Sequence, residues 1–354
     1  MACMTDAPQP VTVAEYEPLA RERTDPAAWD YQAGGAGDEV SLTAARLAWD
    51  RLRLRPRVLV DVSSRDLSTS AFGVALAHPI VVAPTADHSL SHPEGERATA
   101  RGAAAAGGVF TLATISSVPM EEVAAAAPDG PRWFQLYAPA DREAGCALVE
   151  RAAASGYSAV AVTVDLPLPG NRERDLRSGF QIGLGVHLPT DQPVDPETGI
   201  VVLPGFDWRE LEWLRSACPI PLLAKGILRA DDAIRAVDAG CDGVWVSNHG
   251  GRQLDTSVAA ADALPEIADA VGDRTVLVVD GGVRRGVDVL KGLALGADLV
   301  AIGRPALWGL AVDGAEGVER VIGLLRDELS LAMALAGCRS LEDITPDLLA
   351  PARA

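Results

Sequence analysis

Residues 275–305, TVLVVDGGVRRGVDVLKGLALGADLVAIGRP, decide the fold. An unbroken apolar run at 275–279 stops at Asp280 and turns into a pair of glycines. A helix-like segment follows at 285–295, with Gly296 placed to end it, and a second apolar run at 299–302 again finishes on a glycine, Gly303. Short apolar runs without alternation suit strands buried on both faces, and a helix between two of them makes a parallel β–α–β unit.

The same pattern recurs toward the N-terminus. Apolar, β-branched runs with polar or glycine-rich tips lie at 79–86 (PIVVAPTA), 109–116 (VFTLATIS), 132–138 (RWFQLYA), 159–167 (AVAVTVDLP), 221–227 (PLLAKGI) and 243–250 (GVWVSNHG). With 275–283 and 299–305 they make eight. Helix-like segments at 94–106, 142–154 and 230–239 alternate with them and meet Gly107, Gly156 and Gly240 at their ends, while Asp141 and Asp231 occupy N-cap positions. Eight such units over about 230 residues predict an α/β fold of the (β/α)8 TIM-barrel type. A doubly wound sheet is the weaker alternative, because no GxGxxG follows an early strand. The chain reads as one domain, 1–354: an N-terminal extension of helices and extended segments over 1–78, barrel strands over 79–305, and C-terminal helices over 306–354. Residues 168–206, rich in Gly and Pro, form the longest connection and read as a lid loop after the fourth strand.

Composition narrows the function. The 354 residues carry a net charge of −18 and are 48% hydrophobic. Whole-chain disorder is excluded, and so is a general nucleic-acid binder or a polybasic membrane-surface protein. No apolar run approaches the ~18 residues of a membrane span, and the N-terminus lacks a secretion-signal pattern, so a cytoplasmic protein is expected. The cysteines (Cys3, Cys146, Cys218, Cys241 and Cys338) form no CxxC pair, so neither a zinc site nor a disulfide scaffold is expected.

In a barrel the C-terminal strand ends face the active site. Read in order, they present Pro84-Thr85-Ala86, Thr114, Gln135 with Tyr137, Thr163 with Asp165, Lys225, Ser247-Asn248-His249, Asp280-Gly281-Gly282 and Gly303-Arg304. The glycines of DGGVRRG (280–286) and IGRP (302–305) let backbone N–H groups approach a phosphate, and Arg284 and Arg304 add charge-assisted bonds. Lys225, one of two lysines beside 29 arginines, ends an apolar strand and needs an anionic partner there. It suits either a Schiff-base nucleophile or a cation that offsets negative charge on a bound ring. A lone histidine usually reads as a core residue. His249, however, sits in SNHGGRQLD (247–255), with Arg252 three residues on and Asp165 available to hold the imidazole. Base, guanidinium fork and carboxylate together suggest proton abstraction from a small carboxylic acid. The remaining histidines, His78, His88, His92 and His187, have no reactive context and read as structural or exposed. A ring-bearing cofactor with one phosphate, FMN, fits this set.

The motifs SNHGGRQLD and DGGVRRG in that order, with DYQAGGAGDE (30–39), APTA (83–86), HPEGE (92–96), FQLY (134–137), IGRP and MALAGCRSLEDI (333–344), resemble the FMN-dependent 2-hydroxy-acid oxidase/dehydrogenase family. The resemblance spans about 16–349. It implies that FMN is held by Pro84, Thr85, Ala86, Thr114, Gln135, Thr163, Lys225 and Ser247 around the ring and by Asp280, Gly281, Gly282, Arg284, Gly303 and Arg304 at the ribityl phosphate. It implies His249 as base with Asp165 as its orienting carboxylate, Arg172 and Arg252 on the substrate carboxylate, and Tyr31 and Tyr137 bonded to the substrate. Tyr137 and Lys225 join the catalytic set. The implied reaction takes an (S)-2-hydroxy acid to a 2-oxo acid and passes the electrons to O2, giving H2O2. Transfer to a quinone or carrier protein is the alternative, and a Lys225 Schiff-base aldolase or a silent scaffold are the readings from other classes. A homotetramer is implied as well. Three positions depart from the glycolate-oxidase-like pattern: Ile115 replaces a tryptophan, Gln32 a tyrosine, and Ala113 a serine. They argue against glycolate as substrate. The connection after strand 4 carries no strongly apolar membrane-binding insert, so a membrane-bound mode is not expected, nor is the haem-bearing flavocytochrome branch.

Overall fold

A computed structural model describes residues 9–139, 141–188, 193–196 and 203–350. The first eight residues, Cys3 among them, and 189–192 and 197–202 of the expected lid lie outside the described residues. Eight parallel strands close into a barrel in the order β10-β3-β4-β5-β6-β7-β8-β9. They are β3 (Ile80–Val82), β4 (Val109–Leu112), β5 (Arg132–Leu136), β6 (Val160–Thr163), β7 (Leu222–Ile227), β8 (Gly243–Val246), β9 (Val276–Val279) and β10 (Leu299–Ile302). Pairing of Val300 with Ile80 and of Ile302 with Val82 completes the ring. The fold is therefore the expected TIM barrel.

The apolar runs hide a period of two. In β9, Leu277 and Val279 join the core between strands and helices, whereas Val276 and Val278 join a separate core inside the barrel. That inner core is floored by Trp133 and Trp245, their rings 6.2 Å apart edge to face. A hairpin of β1 (Thr69–Ala71) and β2 (Val74–Leu76) plugs the barrel from below, with Phe72 against Trp133 at 5.4 Å. Phe72 also lies beside Gly243, the first residue of β8, which fixes the plug at the N-terminal end of the strands. Each buried indole removes roughly 200 Å² from water, worth about 5 kcal/mol before entropy, so the floor is firm and the cavity opens only at the strand tips.

The helices are α1 (Val13–Arg23), α2 (Pro26–Ala33), α3 (Val40–Arg51), α4 (Gly95–Ala106), α5 (Met120–Ala126), α6 (Arg142–Ala154), α7 (Glu173–Ser178), α8 (Trp208–Ala217), α9 (Ala230–Asp238), α10 (Ala260–Val271), α11 (Gly286–Ala294) and α12 (Arg304–Ala336). Asp141 caps α6 by accepting from the Glu143 N–H. Asp231 does not cap α9. The N-cap is Arg229, and the Asp231 carboxylate instead accepts from the Arg229 guanidinium at 2.6 and 2.8 Å. Asp231 is the second residue inside α9, past the cap position, and its carboxylate also accepts from the Asp232 N–H at 3.1 Å. The C-terminal part is one helix, α12, kinked at Asp313–Gly314, followed by two short 3-10 turns.

The N-terminal extension covers the mouth. Carbonyls of Gln32 and Gly34 accept from Arg304, the Ala36 N–H donates to the Gly251 carbonyl, and Trp49 of α3 donates to the Gly281 carbonyl at 2.7 Å. No described helix is long and apolar enough to cross a membrane.

Candidate active site

One cavity opens at the strand tips, and every barrel strand contributes a residue at or just past its end. His249 enters it from a 3-10 turn (His249–Gly251) just past β8, in the left-handed region at φ 57°. A positive φ at a side chain this large is costly and is held by its surroundings. Here the backbone N–H of His249 donates to Ser247 Oγ at 3.0 Å, and Nδ1 lies 2.9 Å from Asp165 Oδ1. Burial lowers the imidazole pKa; Asp165 opposes the shift without reversing it, and the charges of Lys225 and Arg172 reinforce it. The ring is therefore neutral at pH 7, with Nδ1–H donated to Asp165 and the Nε2 lone pair left for another proton. Burial acts to raise the Asp165 pKa, but His249 and Lys225 outweigh it and hold this carboxylate below its usual range.

Asp165 reaches that position because β7 bulges between Lys225 and Ile227. Gly226 occupies the bulge at φ 114°, and a Cβ there would stand 2.5 Å from the Asp165 carboxyl carbon.

Two guanidiniums share the cavity. Arg172, at the N-cap position of α7, is buried and makes only long bonds, Nε to the Arg252 carbonyl at 3.3 Å and Nη2 to Gln253 Oε1 at 3.4 Å. Arg252 lies over the Tyr31 ring at 4.7 Å and donates to the carbonyls of Tyr31 and Gly34. Among the described residues no carboxylate forms a salt bridge with either. Burial and the Arg252 charge lower the Arg172 pKa to about 10, so it stays cationic at neutral pH. The Tyr137 hydroxyl faces the same space, and burial pushes its pKa up.

The remaining polar groups form a cradle. Lys225 Nζ donates to Ser247 Oγ at 3.0 Å and lies 3.5 Å from Asp280 Oδ2, while the Trp245 indole donates to Asp280 Oδ2 at 3.0 Å. Asp280 Oδ1 is buried and has no hydrogen-bond partner among the described residues. Gln135 is locked by two bonds, Nε2 to Thr163 Oγ1 at 3.0 Å and Oε1 accepting from the Thr114 N–H at 3.1 Å. Gly281, Gly282 and Gly303 bring bare backbone to the cavity beside Arg284 and Arg304. Gly282 admits no side chain, since a Cβ would collide with the Ala45 carbonyl. Burial together with neighbouring guanidiniums lowers Arg304 to about 9 and Arg284 to about 10, a crowd of positive charge that an anion relieves. The orphaned carboxylate oxygen matches a polyol hydroxyl, the arginines and bare backbone match a phosphate, and the lysine matches a ring that gains negative charge. The residues present fit FMN.

Pro84, Thr85, Ala86, Tyr31, Tyr137, Gln135, Thr163, Lys225, His249, Arg172, Arg252, Asp280, Gly281, Gly282, Arg284, Gly303 and Arg304 all line the cavity. Thr114, Ser247 and Asp165 stand one layer behind and bond to residues that do. Thr114 uses its hydroxyl on the Gln135 carbonyl at 2.6 Å and accepts from the Tyr137 N–H. Gly226 and Gln253 carry no site signal in the sequence, and His88 reads there as structural or exposed. His88 is buried, and its Nε2 lies 2.7 Å from the hydroxyl of the cavity residue Thr85. Its position three residues beyond Thr85 was the only available signal.

A base poised for proton abstraction beside a cradle that fits FMN, at the mouth of a (β/α)8 barrel, defines the class: a flavin-dependent oxidoreductase. The match to known proteins agrees. Residues 20–351 match the model of the FMN-dependent dehydrogenase family. The chain is 48% identical to the L-lactate oxidase of Nostoc sp., covering 98% of this chain and all of that protein. It is 44% identical to glycolate oxidase 3 of Arabidopsis thaliana over 94% of each. A crystal structure of mandelate oxidase superposes with a TM-score of 0.90 at 42% identity, covering 97% of this chain and 98% of that one. The chain belongs to the FMN-dependent dehydrogenase family, and FMN is its cofactor.

Proposed function

We propose that the chain oxidises an (S)-2-hydroxy acid to the 2-oxo acid, with FMN as electron acceptor and O2 as the final oxidant, released as H2O2. The relatives named as lactate, glycolate and 2-hydroxy-acid oxidases support the reaction class. Within the chain, the observation that carries it is a neutral His249, backed by Asp165, in one cavity with two guanidiniums that lack carboxylate partners.

Bound FMN supplies the two-electron redox chemistry. The protein's own groups bind, orient and move the proton. His249 Nε2 takes the proton that leaves the substrate, and Asp165 holds the tautomer and stabilises the imidazolium that results. Arg172 and Arg252 bind the substrate carboxylate, and Tyr31 and Tyr137 donate hydrogen bonds to it; the raised Tyr137 pKa keeps that phenol protonated. Lys225 offsets negative charge on the cofactor. Pro84, Thr85, Ala86, Gln135 and Thr163 hold the ring, with Thr114 and Ser247 bracing them. Asp280, Gly281, Gly282, Arg284, Gly303 and Arg304 take the ribityl phosphate. Lys225 is paired with Asp280 and Ser247, which suits a fixed cation better than a Schiff-base nucleophile.

Ala86, Ala113 and Ile115 give the cavity an apolar wall, and Ile115 packs in a cluster with Leu166, Ile182, Leu188 and Leu203. An uncharged substrate side chain larger than a hydrogen suits that wall. We also propose a homotetramer, which rests on the family resemblance; size-exclusion chromatography with light scattering tests the assembly.

The test of the reaction is a panel of 2-hydroxy acids mixed with the yellow holoenzyme. Bleaching of the flavin without oxygen and peroxide release with it are expected. Bleaching without peroxide points to a quinone or carrier protein as acceptor, and no bleaching by any acid overturns the reading.

A further inference from the structure

Gln253 lies outside the cavity wall, yet its side-chain amide makes four hydrogen bonds beside it. Nε2 donates to the Asp165 carbonyl at 2.8 Å and to the Leu168 carbonyl at 3.0 Å. Oε1 accepts from the Gly170 N–H at 3.3 Å and from Arg172 Nη2 at 3.4 Å. All four partners belong to residues 165–172, where the chain leaves β6 for the long connection. Gln253 itself belongs to the loop that carries His249 and Arg252. Close packing supports the same junction: a Cβ on Gly170 would stand 2.5 Å from the Gln253 carbonyl oxygen and would also strike the Arg252 carbonyl. Arg172 makes no other side-chain bond to a side chain among the described residues, and its Nε leans on the Arg252 carbonyl.

We propose that Gln253 is a positioning residue for carboxylate recognition: its amide clasps the root of the connection after β6 to the His249–Arg252 loop and so sets Arg172 at the distance from Arg252 that one carboxylate spans. The proposal rests on the reading of Arg172 as a carboxylate ligand. An arginine with two long bonds is aimed by its backbone, and that backbone is held by the Gln253 amide on three sides, at Asp165, Leu168 and Gly170. None of its four partners is a cradle residue, so the cofactor cradle is left alone; the bond to the Asp165 carbonyl also braces the carboxylate behind His249, which is read in kcat, whereas the effect on ligand affinity runs through Arg172.

Gln253→Met keeps the length and volume of the side chain and removes all four bonds; Gln253→Asn, one methylene shorter, repeats the test if the first variant folds poorly. The measurements are the oxalate Kd of the holoenzyme from its flavin absorbance, KM and kcat for the best acid of the panel, and the FMN Kd. Gln253→Met is expected to raise the oxalate Kd and KM roughly tenfold, with a smaller change in kcat and an unchanged FMN Kd. In an Arg172→Met background, the same substitution is expected to add less than about twofold, because its route is already gone. Multiplicative effects, or an unchanged oxalate Kd in Gln253→Met while Arg172→Met weakens oxalate, overturn the proposal and leave the reading of Arg172 intact. If Arg172→Met itself leaves oxalate binding unchanged, the reading of Arg172 fails and the clasp fails with it.

Discussion

Gly226 and Asp165 touch. The bulge in β7 turns residue 226 to φ 114° and leaves space for one hydrogen where a methyl would stand 2.5 Å from the carboxyl carbon of Asp165. A strand irregularity in β7 thus sets how the carboxylate past β6 approaches His249 past β8, on the two strands that flank it.

Gly226→Ala is expected to act twice. The φ is unfavourable for any L side chain, and the methyl pushes Asp165 off the imidazole. Thermal melting should show a loss of about 1–3 kcal/mol, and kcat/KM should fall at least about tenfold. Unchanged turnover would separate the Asp165 position from catalysis.

His249→Gln removes the base while keeping a polar side chain of similar reach. The purified variant is expected to stay yellow and to lose roughly 10²- to 10⁴-fold in kcat. Near-normal kcat would remove His249 from the proton step.

The pH profile follows from the same pair. The base form of His249 is needed, and burial lowers its pKa, so kcat/KM is expected to hold at pH 7 and fall only below the ordinary histidine value near ~6.5. Asp165 raises that pKa, whereas the facing cations Lys225 and Arg172 lower it. Asp165→Asn should therefore move the acid limb to still lower pH as it lowers the plateau. A limb that moves upward contradicts the assignment.

Arg252→Met is expected to raise KM roughly tenfold or more, with a milder change in kcat, because a charge-assisted bond to the carboxylate is lost while the base stays in place. Steady-state kinetics on the preferred acid decide it; unchanged KM and kcat would take Arg252 out of the site.

Ile115→Trp fills the apolar wall. It is expected to shift kcat/KM toward the smallest acids of the panel by roughly tenfold or more relative to bulky ones. An unaltered preference order would mean that the substrate side chain lies elsewhere.

The eight apolar runs foretell eight strands because each carries its own local signal of apolar length and a polar or glycine-rich tip, reinforced in four units by a glycine at the end of the next helix. The cavity residues were legible for the same reason, since a barrel brings every tip to one mouth. Other features depend on distant partners. Nothing near Gly226 announces that Asp165 will lean on it. Asp231 reads as a cap from its local sequence, but the helix begins at Ala230, one residue before it, so its carboxylate lies in the first turn and pairs with Arg229. Thr114 and Ser247 share the strand ends with true wall residues, but their short side chains are taken up by neighbours before reaching the cavity. His88 looked inert because its link to Thr85 is a side-chain contact, not a motif.

The indole floor has a consequence for traffic. With Trp133, Trp245 and the β1–β2 plug filling the far end, the described residues leave prosthetic group, fuel and spent product a way in from the strand tips, under the arch formed by residues 32–36. The order of arrival is thereby dictated: whatever sits deepest must enter first and depart last, so each turnover happens in front of a lodger that cannot slip out by the back.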